Sequence, residues 1–564
     1  MQRLPIAAAR MFASIALLNM AMTASAADSA ATSEPILVGY VSDERYVALV
    51  DVALEFQRPG VSVDARSRAT GSVYAAVEPG RWRVTLQKPG FGSKSVEIDV
   101  DPKTPHHFRL LTDGLLGYAW PKWVRAGERS EFRVHSVEPY KIELYRYGWK
   151  KELVRSIGWF DEHGPRATMQ ITPDGDFTRT GAEWNKRGYN NNPVHGQFQA
   201  APERSGLYYF HTQTRSGRAF SFPWIVAPAK PTCRLAVLAA NINWNCYNSF
   251  GGRSNYIHCA EFPMTPTVNS RQDLDRYTDP EHIFYDREDY APLSFDRPEP
   301  FNHIDFAEQI TDPIEGRQAC HLAPAEWRFY GWLEREGIAF DLYAETQLHD
   351  GTLKLDDYDV LVTHTHPEYW SRAMFTELKD WVFRRGGKLI YLGGNGLNCE
   401  VEFNTPTSII VRNGDKREQR RKNLDSRMHE RIESEAALLG VVYTDAGAMT
   451  GAPYKVVDPE HWSLAGTGLK AGDLFGLKSL HMRCPGGASG HETDKRSPSS
   501  PQNAHLIARG TNRDDGGAEM IYFDTPGGGA VFSAGSINYV SSLPVDEHIS
   551  RVTKNVIEKM LNAE

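Results

Sequence analysis

Apolar and polar positions between Asp359 and Gly396 (DVLVTHTHPEYWSRAMFTELKDWVFRRGGKLIYLGGNG) follow a strand–helix–strand pattern. Asp359 to His364 is a short apolar run of the kind buried in a sheet. Ser371 is placed to cap a helix on which Met374, Leu378, Trp381 and Val382 share one face, and Gly386-Gly387 ends it. Lys388 to Leu392 is a second apolar run. Two strands joined through a helix are expected to be parallel. His366-Pro367-Glu368-Tyr369-Trp370 and Gly393-Gly394-Asn395-Gly396 then leave the carboxyl ends of neighbouring strands, on the edge where open α/β sheets bind ligands.

Toward the amino terminus the period changes. From Ile36 to about Leu111, short alternating runs (LVGYV, VALVDVALEF, GSVYAAV, RWRVTLQ, SKSVEIDV) are divided by glycine and proline, and PGRWRVTLQKPGF is a hairpin pattern. A small all-β sandwich over 36–112 is predicted. Its Pro-Gly-Arg-Trp-Arg-Val segment resembles transthyretin-like, carboxypeptidase-regulatory modules, and it holds no cluster of candidate catalytic groups. A second series (SEFRVHSV, KIELYRYGW, ATMQITP, GLYYFHTQT, AFSFPWIVAP) predicts an immunoglobulin-like sandwich over 113–228. Within it, WNKRGYNNN (184–192) reads as a solvated polar loop, with a lean over a neighbouring site as the alternative. Pro228-Ala229-Lys230-Pro231 is a linker. Beyond it come a strand at Arg234–Ala240, a helix at Glu326–Glu336, a strand at Ala339–Ala344, the unit described above, a strand at Ala530–Ser536 and a helix at Asp546–Leu561. This alternation predicts a doubly wound α/β domain of glutamine-amidotransferase-like type over 232–564, interrupted by irregular inserts at 241–320 and 403–440.

Composition narrows the function classes. With 564 residues the chain has room for about three domains. A net charge of −8 without any Lys/Arg block argues against nucleic acid as a partner. Residues 1–27 combine Arg3 and Arg10, an apolar run from Met11 to Met22 and Ala24-Ser25-Ala26, the pattern of a secretory signal peptide. That run is too short to span a membrane, and no later segment is long and apolar enough, so an exported, periplasmic protein is expected. If the segment is not a signal, the location is cytoplasmic. Six cysteines without a C-x-x-C pair make a zinc finger or redox motif a poor reading and leave disulfide pairing open.

Candidate chemistry gathers at the strand ends. Asn241 to Gly252 (NINWNCYNSFGG) leaves the first strand and supplies Tyr247 and several amides. On residue types alone a hydrogen-bonded asparagine loop is the plainer reading. Glu368 is either a helix N-terminal charge or a metal ligand or acid/base group. His364 and His366 point to opposite sides of an extended chain, so at most one of them shares the site. Asn395 lies in a turn dipeptide and can also hold a developing oxyanion. Glu492, after the glycine-rich CPGGASG run, is a surface charge or a general base. No G-x-S-x-G elbow, P-loop, H-E-x-x-H or dinucleotide fingerprint is present.

Seven segments in order (NWNCYNSFGGRSNY, SFDRP, HPEYWSR, YLGGNG, HWSLAGTGL, SGHETDK and GGAVFSAGSINY) resemble the large, or beta, subunit of N,N-dimethylformamidase, over roughly 230–564. The resemblance implies hydrolysis of a small amide at a mononuclear iron held by two tyrosines and a glutamate. Carried onto this chain, Tyr247 and Glu368 are two of the ligands. The third is a tyrosine before SFDRP, Tyr290 or Tyr285, with Tyr290 favoured. Glu492 becomes the base, and His366 and Asn395 the groups that orient substrate or steady the oxyanion. Two phenolates and a carboxylate are hard anionic donors whose three charges match a ferric ion, Fe3+.

The chain departs from that family in its extra N-terminal β module and its export signal, and its 412–440 insert is charged and reads as helical where a Gly/Trp-rich lid is expected. The family enzyme works with a small partner subunit, so such a subunit, or a homo-oligomer, is expected beside the small amide substrate. The competing reading is a non-catalytic carbohydrate- or peptide-binding protein that stacks its ligand on Trp244, Trp370 and Trp462. A metal-assisted hydrolase of another bond is a third.

Overall fold

The computed structural model describes residues 34–160, 172–184, 197–255, 265–268, 291–304, 321–411 and 427–562. The signal segment 1–27, Tyr285, Tyr290, Cys259, Cys320, most of the 184–192 loop and residues 412–426 lie outside the described residues. The chain is multidomain and mostly β-sheet, in several sheets with few helices.

The largest sheet has nine strands. Its spatial order is Asp341–Ala344, Leu235–Ala239, Val360–Thr365, Lys388–Gly393, Ala530–Ser533, Glu519–Asp524, His505–Gly510, Tyr454–Val456 and Leu474–Phe475. The first five are parallel, and the remaining pairings are antiparallel. In the parallel part Val360, Val362 and Ile390 join one core with Trp327, Val552 and Val556. Leu361, Leu389 and Val531 join another with Met374, Leu378 and Trp381. Burial on both faces is why these strands read as unbroken apolar runs. A doubly wound, glutamine-amidotransferase-like domain is nevertheless not supported, because the sheet is mixed and antiparallel over nearly half its width.

The strand–helix–strand unit forms as its pattern requires. Strand Val360–Thr365 pairs in parallel with Lys388–Gly393, from Val360↔Lys388 to Thr365↔Gly393. Helix Arg372–Arg384 between them is capped by the Ser371 side chain, which accepts from the Met374 N–H. The predicted helix at 326 begins earlier, spanning Ala323–Arg335, because Pro324 suits its first turn. Asn241–Tyr247, read as a loop, is a short helix. Its asparagines are turned inward, and Asn241, Asn243 and Asn245 are all buried.

Two β layers at the amino terminus share one core. Val41, Val73 and Phe108 of a three-stranded sheet pack with Leu54, Phe56, Trp82, Val84 and Ile98 of a four-stranded one. The predicted hairpin is there, with Gly80–Lys88 against Gly92–Val100. The next region again has two sheets, of three and five strands, around Val134, Ile142, Phe210 and Trp224. No disulfide joins the described cysteines Cys233, Cys246, Cys399 and Cys484, and among the described residues no helix is long and apolar enough to cross a membrane.

A partly buried aspartate ties segment 172–184 to the first layers. Asp174 forms an ion pair with Lys94, meets His106 Nε2 at 3.0 Å and accepts from the Arg109 backbone N–H at 2.9 Å. Burial alone would push its carboxyl up, but Lys94 and His106 outweigh burial and bring it down to about 2. A depressed carboxylate stabilises the fold above its unfolded value and loses that contribution as pH falls through the folded one. Asp174→Asn is therefore expected to cost about 2 kcal/mol at neutral pH. In urea melts the gap between variant and parent should close as pH drops from 3.8 toward about 2. Matching midpoints at neutral pH would show that this contact is not a clamp.

Candidate active site

Four chain segments deliver polar side chains to the carboxyl edge of the parallel strands. Tyr247 ends the helix that follows Leu235–Ala239, and His366 and Glu368 follow Val360–Thr365. Asn395 follows Lys388–Gly393, and Glu492 lies between the short strands Ser489–Gly490 and Thr493–Lys495. Backbone bonds stitch the two central loops together: Gly394 N–H to Thr365 O (3.2 Å), Leu397 N–H to Pro367 O (2.7 Å) and Cys399 N–H to Glu368 O (2.9 Å). Gly394 has to be glycine, since a Cβ there would run into the Glu492 carbonyl.

The side chains meet closely. Tyr247 Oη donates to Glu368 Oε2 at 2.8 Å and lies 3.2 Å from His366 Nε2, which is itself 2.9 Å from Glu368 Oε2. The other imidazole nitrogen, Nδ1, is 3.1 Å from Gly394 O and 3.7 Å from Glu492 Oε2. Asn395 Nδ2 donates to Glu492 Oε2 at 2.9 Å. Both nitrogens of His366 thus face acceptors, and that favours the imidazolium. Burial opposes it, yet Glu492 and Glu368 prevail and raise His366 above the ordinary histidine value. Burial also pushes Glu368 up, but its bonds from His366 and Tyr247 leave it below the usual range. Glu492 is raised, by burial first and the charge of Glu368 next.

Each residue singled out from the sequence can now be placed. Tyr247, His366, Glu368, Asn395 and Glu492 are brought together. Tyr290 and Tyr285 fall outside the described residues. Of the two alternating histidines, His366 enters the cluster. His364 packs against Phe329 and Tyr330, and burial lowers it to about 3. Trp244 and Trp370 are buried, and their indole N–H groups donate to Glu326 (2.7 Å) and Glu345 (2.8 Å), so neither is a stacking platform.

Sequence reasoning missed several neighbours. Asp494 accepts from the Asn395 backbone N–H at 2.8 Å and from Tyr391 Oη at 2.7 Å, while Tyr391 Oη accepts from the Gly396 N–H at 2.8 Å. Burial pushes Asp494 up to about 7. The rings of His321, His481 and His491 also lie close by, and His321 stands edge-on to Tyr247 and His366. Tyr443, opposite Asp494 in a two-stranded ladder, is raised by burial and by the charges of Glu492, Asp445 and Glu368. Only the short spacing of His491 and Asp494 about Glu492 hinted at any of these.

Backbone strain gathers here too. Thr365, Asn395, Leu397 and His491 all have left-handed φ, between 51° and 64°. Non-glycine residues tolerate that conformation where surrounding contacts impose it, commonly at functional sites.

The donor chemistry suits a hard cation. Among the described residues no three His, Cys, Asp or Glu side chains are grouped to hold a metal ion. Tyr247 Oη and Glu368 Oε2 converge to 2.8 Å, a separation that fits a shared proton or two neighbouring donors to one ion.

Two carboxylates, an imidazole, an amide and a phenol thus meet in one polar site at the carboxyl ends of the parallel strands. Residues 141–553 match the family described as N,N-dimethylformamidase beta subunit-like, C-terminal, and the chain belongs to that family. The family's name is that of an amide hydrolase. The N,N-dimethylformamidase beta subunit of an Alcaligenes species is 26% identical over 293 residues, covering 43% of this chain and 37% of the relative. That of Paracoccus aminophilus is 26% identical over 289 residues, with the same coverage. The matched part of the chain thus spans little more than a third of these relatives' length, and both are named as subunits of a larger enzyme. Among solved structures, the Bacillus anthracis TIE protein is 10% identical, covering 37% of this chain and 36% of that one at a TM-score of 0.12, a likeness too slight to inform the fold.

Asp494 is the keystone of the Asn395 turn. Asp494→Ala leaves two buried donors without an acceptor, at about 1–3 kcal/mol for each. The variant should unfold at lower urea concentration, and an unchanged midpoint would show that the turn holds itself.

Proposed function

We propose that this chain is a hydrolase of a small amide C–N bond, with mononuclear ferric iron held by Tyr247, Glu368 and a second tyrosine, Tyr290 or Tyr285. The observation that carries the reading is the convergence, from four chain segments, of the hydrogen-bonded Tyr247, His366 and Glu368 with the hydrogen-bonded pair Asn395 and Glu492, which lies 3.7 Å from His366. Family membership supports the amide as the substrate class. The catalytic region is taken as 232–564, behind β modules at 36–112 and 113–228. Export on the 1–27 signal and a small partner subunit, or self-association, complete the proposal.

A bound ferric ion supplies Lewis acidity at this edge and lowers the pKa of water. The protein's own groups do the rest. Glu492, whose carboxyl burial raises, takes a proton from water as the water oxygen bonds to the amide carbon. Asn395 Nδ2 holds that carboxylate in place. His366, held between Glu368 at Nε2 and Gly394 O at Nδ1, fixes the Glu368 carboxylate and helps orient the substrate beside it. Glu492 then returns the proton to nitrogen as the C–N bond breaks, which gives a carboxylic acid and a free amine; the acid then loses its proton to solvent. The binding-protein alternative is weakened by the burial of Trp244 and Trp370.

Glu368→Gln and Tyr247→Phe are each expected to lose bound iron, read by metal analysis and by the phenolate-to-iron absorption band, with the far-UV circular dichroism unchanged. Glu492→Gln should keep its iron and lose about 10²–10⁴-fold in kcat on small amides. Full iron in both ligand variants would remove the ligand assignment. Metal-free wild-type protein that binds a sugar would remove the hydrolase.

A further inference from the structure

A chain of hydrogen bonds behind Glu492 fixes the proton positions on two histidines. The backbone N–H of Cys484 donates to His481 Nδ1 at 3.0 Å. A nitrogen that accepts carries no proton, so neutral His481 has its hydrogen on Nε2. That nitrogen lies 3.1 Å from His491 Nδ1, which must therefore be the acceptor. His491 in turn carries its hydrogen on Nε2, and among the described residues no acceptor is assigned to that N–H. Geometry alone sets this order, since each bond leaves only one direction for the next. Burial, with His321 and His481 as neighbours, acts in the same sense and lowers His491 well below the ordinary histidine value.

The position of His491 gives this N–H a use. It directly precedes Glu492, and its left-handed backbone (φ 64°) is held by Met449 N–H to His491 O (2.7 Å) and His491 N–H to Thr450 O (3.0 Å). Its ring is 5.4 Å from that of His321, which lies 4.7 Å from the Tyr247 ring and 5.5 Å from that of His366. A neutral imidazole locked as a donor can polarise a carbonyl without carrying a charge of its own.

We infer that His491 is a catalytic residue whose Nε2–H donates to the carbonyl oxygen of the bound amide, and that His481 is a positioning residue that locks it in that tautomer. The inference rests on the amide-hydrolase reading and assigns to this chain's own residues a carbonyl-binding contact beyond the cluster around Glu368. No proton is transferred: the contact strengthens as the oxygen gains negative charge and relaxes when the C–N bond has broken.

The test combines tautomer measurement with kinetics on the intact protein. In 15N-histidine-labelled protein at neutral pH, with signals assigned from H481N and H491Q, both residues are expected as Nε2–H tautomers. The His491 Nε2 signal should shift on addition of N,N-dimethylacetamide. Gln can place an N–H where Nε2–H stood, whereas Asn reproduces only the Nδ1 side of the ring. His491→Asn should therefore lose about 10²–10³-fold in kcat with a much smaller change in KM, and His491→Gln should retain most of the activity. His481→Asn keeps the acceptor for Cys484 but frees the His491 tautomer, and should lose about 10-fold in kcat by the same logic. An Nδ1–H tautomer or imidazolium at His491, an Nε2 signal that ignores the amide, or wild-type kcat in His491→Asn would each overturn the inference. Wild-type protein that hydrolyses no amide while the Nε2 signal still responds would overturn the hydrolase reading and leave the amide contact standing.

Discussion

One interior guanidinium sets where Tyr247 can be. Arg297 is fully buried and wraps the carboxyl end of the Tyr247 helix. It donates to Ser294 O (2.9 Å), Phe250 O (2.7 Å), Asn245 O (3.1 Å) and Asn245 Oδ1 (3.0 Å). Burial brings it down to about 10, still well above neutrality, so it stays charged. A buried cation without partners costs several kcal/mol, so the carbonyls of 245–250 are held to it as firmly as it is to them. The neighbouring Asp296 accepts from Tyr118 Oη and Arg133 Nη1, each at 2.6 Å, and Arg109 donates to Gly251 O at 3.0 Å. The segment that presents Tyr247 is therefore fastened from the N-terminal β regions as well as from the S-F-D-R-P segment that carries Arg297. This accounts for the S-F-D-R-P segment as structural rather than chemical: its polar residues bind the layers together behind the site.

The fold was legible where burial imposes a period. Val360–Thr365 and Lys388–Gly393 are unbroken buried runs and Arg372–Arg384 buries one stripe, and the parallel register of the two strands follows from the helix that joins them. The site edge was legible for the same reason, because parallel register puts His366, Glu368 and Asn395 at adjacent strand ends. Less legible were places where partners come from far along the chain. The inward Asn241 and Asn245 resemble parts of a polar loop until Leu293 O, Thr346 and Arg297 are seen to satisfy them. The antiparallel continuation of the sheet was hidden because its strands are short and the runs between them irregular. Asp494 and His491 were invisible as functional groups since their roles depend on bonds to Tyr391, Asn395 and His481, which no local pattern announces.

Strain and glycine placement follow from the same crowding. Thr365 and Asn395 turn left-handed at the ends of adjacent strands, and Gly394 lets the second turn press against the Glu492 carbonyl. These turns bring the 366–368 and 393–397 loops within hydrogen-bonding distance of each other and of a third loop, and the bonds gained across that junction hold the unfavourable φ values in place.

A single imidazole divides the work of the two carboxylates. His366 Nε2 is 2.9 Å from Glu368, while Nδ1 is 3.7 Å from Glu492 and bonded instead to Gly394 O. The closer carboxylate gains a charge-assisted bond, adds a second from Tyr247, and remains anionic. The farther one receives mainly an amide N–H from Asn395, and burial raises it. Two glutamates in one site are thereby pushed in opposite directions, the condition under which one serves as a fixed anion and the other exchanges a proton. Under the proposed reading those roles are metal ligand for Glu368 and base for Glu492. They could not be exchanged by a small shift of either side chain, because the asymmetry lies in which face of His366 each one meets.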